Sequence, residues 1–83
     1  MRTQLELWQV VKNNFDEYFN FGLCQLIDSL RHVGKINYYE EDSLREELSL
    51  HGDDKSYFLG LSGDPKPRLE FIDKMIKKHS KKD

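Results

Sequence analysis

Eighty-three residues with 13 Lys/Arg, 15 Asp/Glu and a net charge of −2 make one small domain, and a chain this short buries only about 60–65% of the surface its unfolded form exposes. The single cysteine, Cys24, excludes an internal disulfide and a cysteine metal cluster. Met1 is followed by no basic-then-apolar leader, and no apolar run approaches about 18 residues, so the expectation is a protein of a reducing cytoplasm that neither enters nor crosses a membrane.

From Gln4 to Phe19 the residues Trp8, Val11, Phe15 and Tyr18 recur at spacings of three and four, with Leu7, Val10 and Phe19 widening the stripe. That period predicts an amphipathic helix. Thr3 is its N-cap, and Glu6 three residues on completes a capping box; Asn20-Phe21-Gly22 supplies the break.

A second helix is predicted from about Leu23 to Val33, with Leu23, Leu26, Ile27, Leu30 and Val33 on one face. Gly34 stands where a helix end calls for a left-handed residue. Asn37 caps a third helix, Tyr38 to Leu50, and Glu40 can reach back to complete a second capping box. Leu44 and Leu48 are assigned inward; Glu41, Asp42, Arg45, Glu46 and Glu47 read as a wet, mainly acidic face.

Between Gly52 and Pro67 lie the turn residues Asp53, Asp54, Lys55, Gly60, Gly63 and Asp64. Tyr57-Phe58-Leu59-Gly60-Leu61 within them reads as an ordered aromatic and glycine loop docked over the helices, since a lone strand would lack a partner. Pro67 suits the first turn of a last helix, Arg68 to about Lys78, with Leu69, Ile72, Ile76 and His79 as its stripe and Phe71 and Met75 at the flanks. Lys77 and Lys78 favour the negative pole of its dipole, and residues 79–83 are expected to fray. The predicted fold is a single all-α domain, a bundle of four helices.

Charge is unevenly distributed. Residues 1–64 carry 6 Lys/Arg against 12 Asp/Glu, while residues 65–83 carry 7 against 3. Seven acids, Glu40, Glu41, Asp42, Glu46, Glu47, Asp53 and Asp54, fall within fifteen residues. Such a surface can occupy the basic groove of a nucleic-acid-handling partner, where phosphates would otherwise sit. The basic end holds Lys66, Arg68, Lys74, Lys77, Lys78, Lys81 and Lys82, which could neutralise several phosphates. Against that second reading, five of the seven lie in the final ten residues and are all lysines, and the rest of the chain repels DNA. A helix as acidic as Glu40 to Glu47 cannot enter a major groove. Charge runs are also commonly no more than solvated faces.

Catalytic and metal signatures are thin. With Gly34 at the sixth position of a calcium loop, Ile36 and Glu40 fall at the eighth and twelfth, but the first, third and fifth are Ser29, Arg31 and Val33. Oxygen ligands are required there, and an arginine repels the ion. His32, His51 and His79 have no metal spacing. Cys24, among Leu23, Leu26 and Ile27, reads as a small core residue rather than an activated thiol. Gly60-Leu61-Ser62-Gly63 lacks the Gly-Lys-Ser/Thr ending of a phosphate loop. No enzyme activity, metal or cofactor is expected.

The landmarks run in a recognisable order: Trp8 in a leading helix; Gly22-Leu23-Cys24-x-x-Ile27-x-x-Leu30; Gly34-x-Ile36-x-x-x-Glu40; Tyr57-Phe58-Leu59-Gly60; and Pro67-Arg68-Leu69-Glu70-Phe71-Ile72. This order, covering most of residues 5–76, resembles small accessory proteins of unassigned function encoded by tailed bacteriophages. The resemblance implies a phage protein in a bacterial cytoplasm that binds and inhibits a host protein, defence machinery included. It carries over no functional residues. Arg68 is the one landmark without an obvious structural role, and pairing with an acid of the body would give it one. The expectation is thus a non-catalytic protein-binding module working through its acidic face. A nucleic-acid binder using the basic end, and a structural or self-assembling phage component, stay open.

Overall fold

The computed structural model describes residues 2–51 and 64–81. Its elements are α1 (Gln4–Asn13), a 3-10 turn (Phe15–Tyr18), α2 (Leu23–His32), α3 (Tyr38–Leu50) and α4 (Lys66–Ser80). Among the described residues the fold is all-α, with four α-helices and no strand. The loop expected at Tyr57–Leu61 lies outside them.

Local chemistry sets most helix ends. Thr3 Oγ1 accepts from Glu6 N at 3.2 Å, and Thr3 N donates to the Glu6 carboxylate at 2.8 Å, so two amides without helical partners satisfy each other's residue reciprocally. Asn37 and Glu40 repeat the arrangement at 2.8 and 3.0 Å. At the end of α2, Gly34 adopts φ +83°. Its N–H bonds to Arg31 O, and Lys35 N–H bonds to Leu30 O. These two bonds define a Schellman end, which favours glycine at the left-handed position. The turn then reverses the chain into α3.

The first helix is shorter than its apolar period predicts. Regular α-structure stops at Asn13 and a 3-10 turn follows, not one helix through Phe19. The physical cause is Asn14, whose side-chain amide donates to Val10 O at 2.8 Å while its N–H is shared between Val10 O and Val11 O. An asparagine that competes for local carbonyls disfavours helix continuation. Lys35 Nζ, arriving from the α2–α3 turn, donates to the Asn14 side-chain oxygen and holds it there. The stripe still reaches inward through Phe15, and Tyr18 packs partly buried against the core, whereas Phe19 is 46% exposed.

One core joins the helices. α1 packs most extensively on α4 and also touches α2 and α3, which pair as a helical hairpin. Leu7, Trp8, Val11, Leu26, Ile27, Leu30, Leu44, Ile72 and Met75 are fully buried, each side chain of this size contributing about 1.5–3 kcal/mol if wholly transferred from water. Trp8 meets Phe71 edge to face, centroids 6.0 Å apart. The seam of α4 is turned from the one the sequence predicts: Arg68, Phe71, Ile72 and Met75 are buried, while Leu69 and Ile76 are only partly so. In that orientation the Phe71 ring meets both Trp8 and His51 edge to face. Val33, expected on the buried face of α2, is 58% exposed because the helix has ended there. No described helix is long and apolar enough to cross a membrane.

Candidate protein-docking face

α3 carries the acids that the sequence groups into one face, and the structure divides them. Only Leu44 and Leu48 are apolar on its inward side. At 3.6 residues per turn, the neighbours of Leu44 at minus four, minus three and plus three are Glu40, Glu41 and Glu47. All three are buried, at 2, 6 and 6% exposure, which corrects the assignment of Glu41 and Glu47 to a wet face and the counting of Glu40 with the acidic docking surface.

Each buried carboxylate has partners brought from elsewhere in the chain. Glu40 accepts from Arg2 N at 3.0 Å and from the Arg2 guanidinium at 2.9 Å, besides capping its own helix. Burial works to raise its carboxyl pKa, but the Asn37 and Arg2 amides and the Arg2 charge outweigh it and hold the group below its usual range. Glu41 is paired with Arg31 from α2 and with Arg45 one turn on. Glu47 is the most heavily bonded: Trp8 Nε1 donates at 2.6 Å, Gln4 Nε2 at 3.0 Å and Lys78 Nζ at 3.0 Å. His79 Nε2 lies 2.8 Å from its second oxygen. Burial pushes this carboxyl up, yet the hydrogen bonds from Gln4, Trp8, Lys78 and His79 bring it down to about 2. Ser43 Oγ extends the network by donating to Gln4 Oε1 at 2.7 Å. Glu47 therefore ties α3 to α1 and α4.

The outward side of α3 is different. Asp42 and Glu46 are exposed, and among the described residues neither carboxylate takes an ion pair or a hydrogen bond. They line an open trough of about 450 Å³ together with Tyr39, Ser43, Glu47 and Leu50, and Gln4 and His79 complete the lining. Tyr39 is 72% exposed and Leu50 75%. Tyr38, also exposed, stands edge to face with Tyr39 at 6.0 Å. Of the seven acids, then, two form an available surface, three belong to the interior, and Asp53 and Asp54 lie outside the described residues.

The basic end divides in the same way. Arg68 is buried at 1% exposure and donates to the Phe19 carbonyl. It anchors the base of α4 to the chain after the 3-10 turn and is not a surface cation; among the described residues its partner is a backbone oxygen and not an acid. Lys78 is engaged by Glu47, and Lys74 has a partner of its own. Lys66, Lys77 and Lys81 are exposed, while Lys82 lies outside the described residues. The helix runs on through Ser80, with His79 half-buried against Glu47. No continuous cationic stripe of seven results.

Cys24 is exposed. It sits roughly 100° round the helix from Leu23, away from the buried face formed by Leu23, Leu26, Ile27 and Leu30. The core assignment is corrected. In the calcium-like segment, Glu40 is held by Asn37 and Arg2, and Arg31 is turned to Glu41. Among the described residues no group of three or more His, Cys, Asp or Glu side chains is arranged to hold a metal ion. Comparison of the chain with protein-family models, with curated proteins and with solved structures returns no match.

Proposed function

We propose that this chain is a non-catalytic protein-binding module whose working surface is the outward face of α3. The observation that carries the reading is the combination at that face: two exposed acids without partners among the described residues, bracketed by the exposed Tyr39 and Leu50, along one open trough. Large exposed apolar side chains beside unpaired charge are the anatomy of an interface, in which aromatic anchors supply affinity and rim charges supply orientation and speed of encounter. The helix beneath is tied to α1 and α4 through Glu47, and a rigid recognition element loses less conformational freedom on binding.

The resemblance to tailed-phage accessory proteins supports a more specific version. The partner is a host protein in the bacterial cytoplasm, of a defence or nucleic-acid-handling kind, and docking inhibits it. Nucleic acid is the weaker partner class, because the burial of Arg68 and the pairing of Lys78 remove two cations from the basic end.

The test is affinity capture from a bacterial lysate followed by mass spectrometry. The wild-type chain should retain a defined protein, and Tyr39→Ala/Leu50→Ala should lose it while keeping its helical circular dichroism. Retention by that variant overturns the assignment of the face.

A further inference from the structure

The side chains of the α3 trough form two parallel rows. Tyr39, Ser43 and Glu47 are spaced by four residues, and so are Asp42, Glu46 and Leu50. These are neighbouring ridges of the kind between which a ridge of a second helix packs. The rows run from Tyr39 to Leu50, roughly 16 Å at 1.5 Å per residue.

The polar groups at the floor are already engaged with one another. Ser43 donates to Gln4, Gln4 donates to Glu47, and Glu47 also receives Trp8, Lys78 and His79. A small polar ligand would find few convergent groups to hold it there, contrary to the usual make-up of a small-molecule site. The charges still available, Asp42 and Glu46, lie one turn apart on the outer row, ahead of the apolar Leu50.

We infer that the trough receives a cationic amphipathic helix of another protein, its Lys or Arg side chains, one turn apart, meeting Asp42 and Glu46 and its apolar positions covering Tyr39 and Leu50. The inference rests on the docking-face reading above and names the chemistry of its partner. Helix-in-groove recognition is read through anchors at three- and four-residue spacing, and the repeat of the trough matches that spacing. The acids contribute selection as well as attraction, since an acidic helix or a nucleic acid brought to the same face is repelled.

The experiment measures binding of the full chain to a fluorescently labelled peptide of about 18 residues, composed of Leu and Lys at helical spacing. One control has the same composition with an alternating order, and another replaces every Lys by Glu. The helical cationic probe should bind, with amide NMR shifts concentrated at residues 39–50, and both controls should bind at least about tenfold more weakly, a factor that corresponds to roughly 1.4 kcal/mol. D42K/E46K should weaken the probe by a similar factor; these side chains are exposed and unpaired, so the variant keeps its fold, as circular dichroism should verify. Equal binding of the alternating control, or an unchanged dissociation constant for D42K/E46K, overturns the inference. Lysate capture separates the two readings: if Y39A/L50A loses the partner and D42K/E46K retains it, the docking face stands and its cationic occupant fails. If both variants retain the partner, the docking face itself fails. Concentration-dependent self-association in sedimentation, abolished by D42K/E46K and equally by K77E/K81E, assigns the trough to a second copy of the chain and likewise overturns the foreign helix.

Discussion

The inner and outer sides of α3 carry the same residue type in opposite circumstances. Glu40, Glu41 and Glu47 face inward beside Leu44 and Leu48, each with a cationic partner from outside α3: Arg2 ahead of α1, Arg31 of α2 and Lys78 of α4 respectively. Asp42 and Glu46, one residue away in sequence, are exposed and have no side-chain partner among the described residues. Buried carboxylates left unpaired would be strongly destabilising, so the inner three act as fasteners that tie α3 to the rest of the chain. The outer two stabilise nothing visible, and that leaves them available for recognition. A count of acidic residues along the helix therefore overstates its binding surface.

The comparison breaks most visibly at the leucine between the fasteners. Leu44 is fully buried, and Leu44→Ala should cost about 2–5 kcal/mol in urea denaturation, a large share of what a small domain has. A change below about 0.5 kcal/mol, the range of ordinary surface substitutions, would mean that the inner side is misassigned.

Next in size is the fastener itself. Glu47→Ala leaves the Trp8 indole N–H without its acceptor and releases Gln4, Lys78 and His79, so a loss of about 1–3 kcal/mol is expected. Glu47→Gln retains an accepting oxygen and should cost less. Equal effects for the two would show that charge alone accounts for the contribution of Glu47.

Acid should loosen the inner side selectively. The Glu47 carboxyl is brought from the ordinary 4.5 to about 2, and Glu40 is also lowered. A carboxylate with a depressed folded-state pKa stabilises the fold fully above its unfolded value, and that stabilisation is lost as pH falls through the folded one. The thermal midpoint should therefore decline between about pH 4.5 and pH 2, the window set by the Glu47 shift. In Glu47→Gln the decline should be shallower; an identical profile would mean that other carboxylates govern acid unfolding.

The smallest effect belongs to the outer side. Asp42→Lys/Glu46→Lys should alter stability by no more than about 0.5 kcal/mol per substitution, checked by thermal melting, while weakening the docking described above. A large loss of stability would place these acids among the fasteners and end the contrast.

Much of the local structure was legible in the sequence. The capping pairs Thr3–Glu6 and Asn37–Glu40, the turn at Gly34 and the apolar faces of α2 and α3 follow from residues three or four positions apart, so neighbouring chemistry suffices to read them. The break at Asn14 was less visible, because the side chain that stabilises it, Lys35, approaches from 21 residues away. The turned seam of α4 was not visible either, because the rings that Phe71 meets, Trp8 and His51, lie far away in the chain. The burial of Glu40, Glu41 and Glu47 had a partial signal in their spacing from Leu44, and the indole N–H of Trp8, which needs an acceptor when buried, was a second.

By itself, then, the sequence determined four helices, the capped starts of α1 and α3 and the hairpin at Gly34, since these rest on short-range hydrogen bonds and helical periodicity. Only the tertiary structure decided which acids are interior fasteners and which face a partner. The contacts that decide it join Arg2 to Glu40, Trp8 to Glu47 and Lys78 to Glu47 across 38, 39 and 31 residues. A carboxylate is costly to bury alone and tolerable once paired, and no local pattern states whether its partner will arrive.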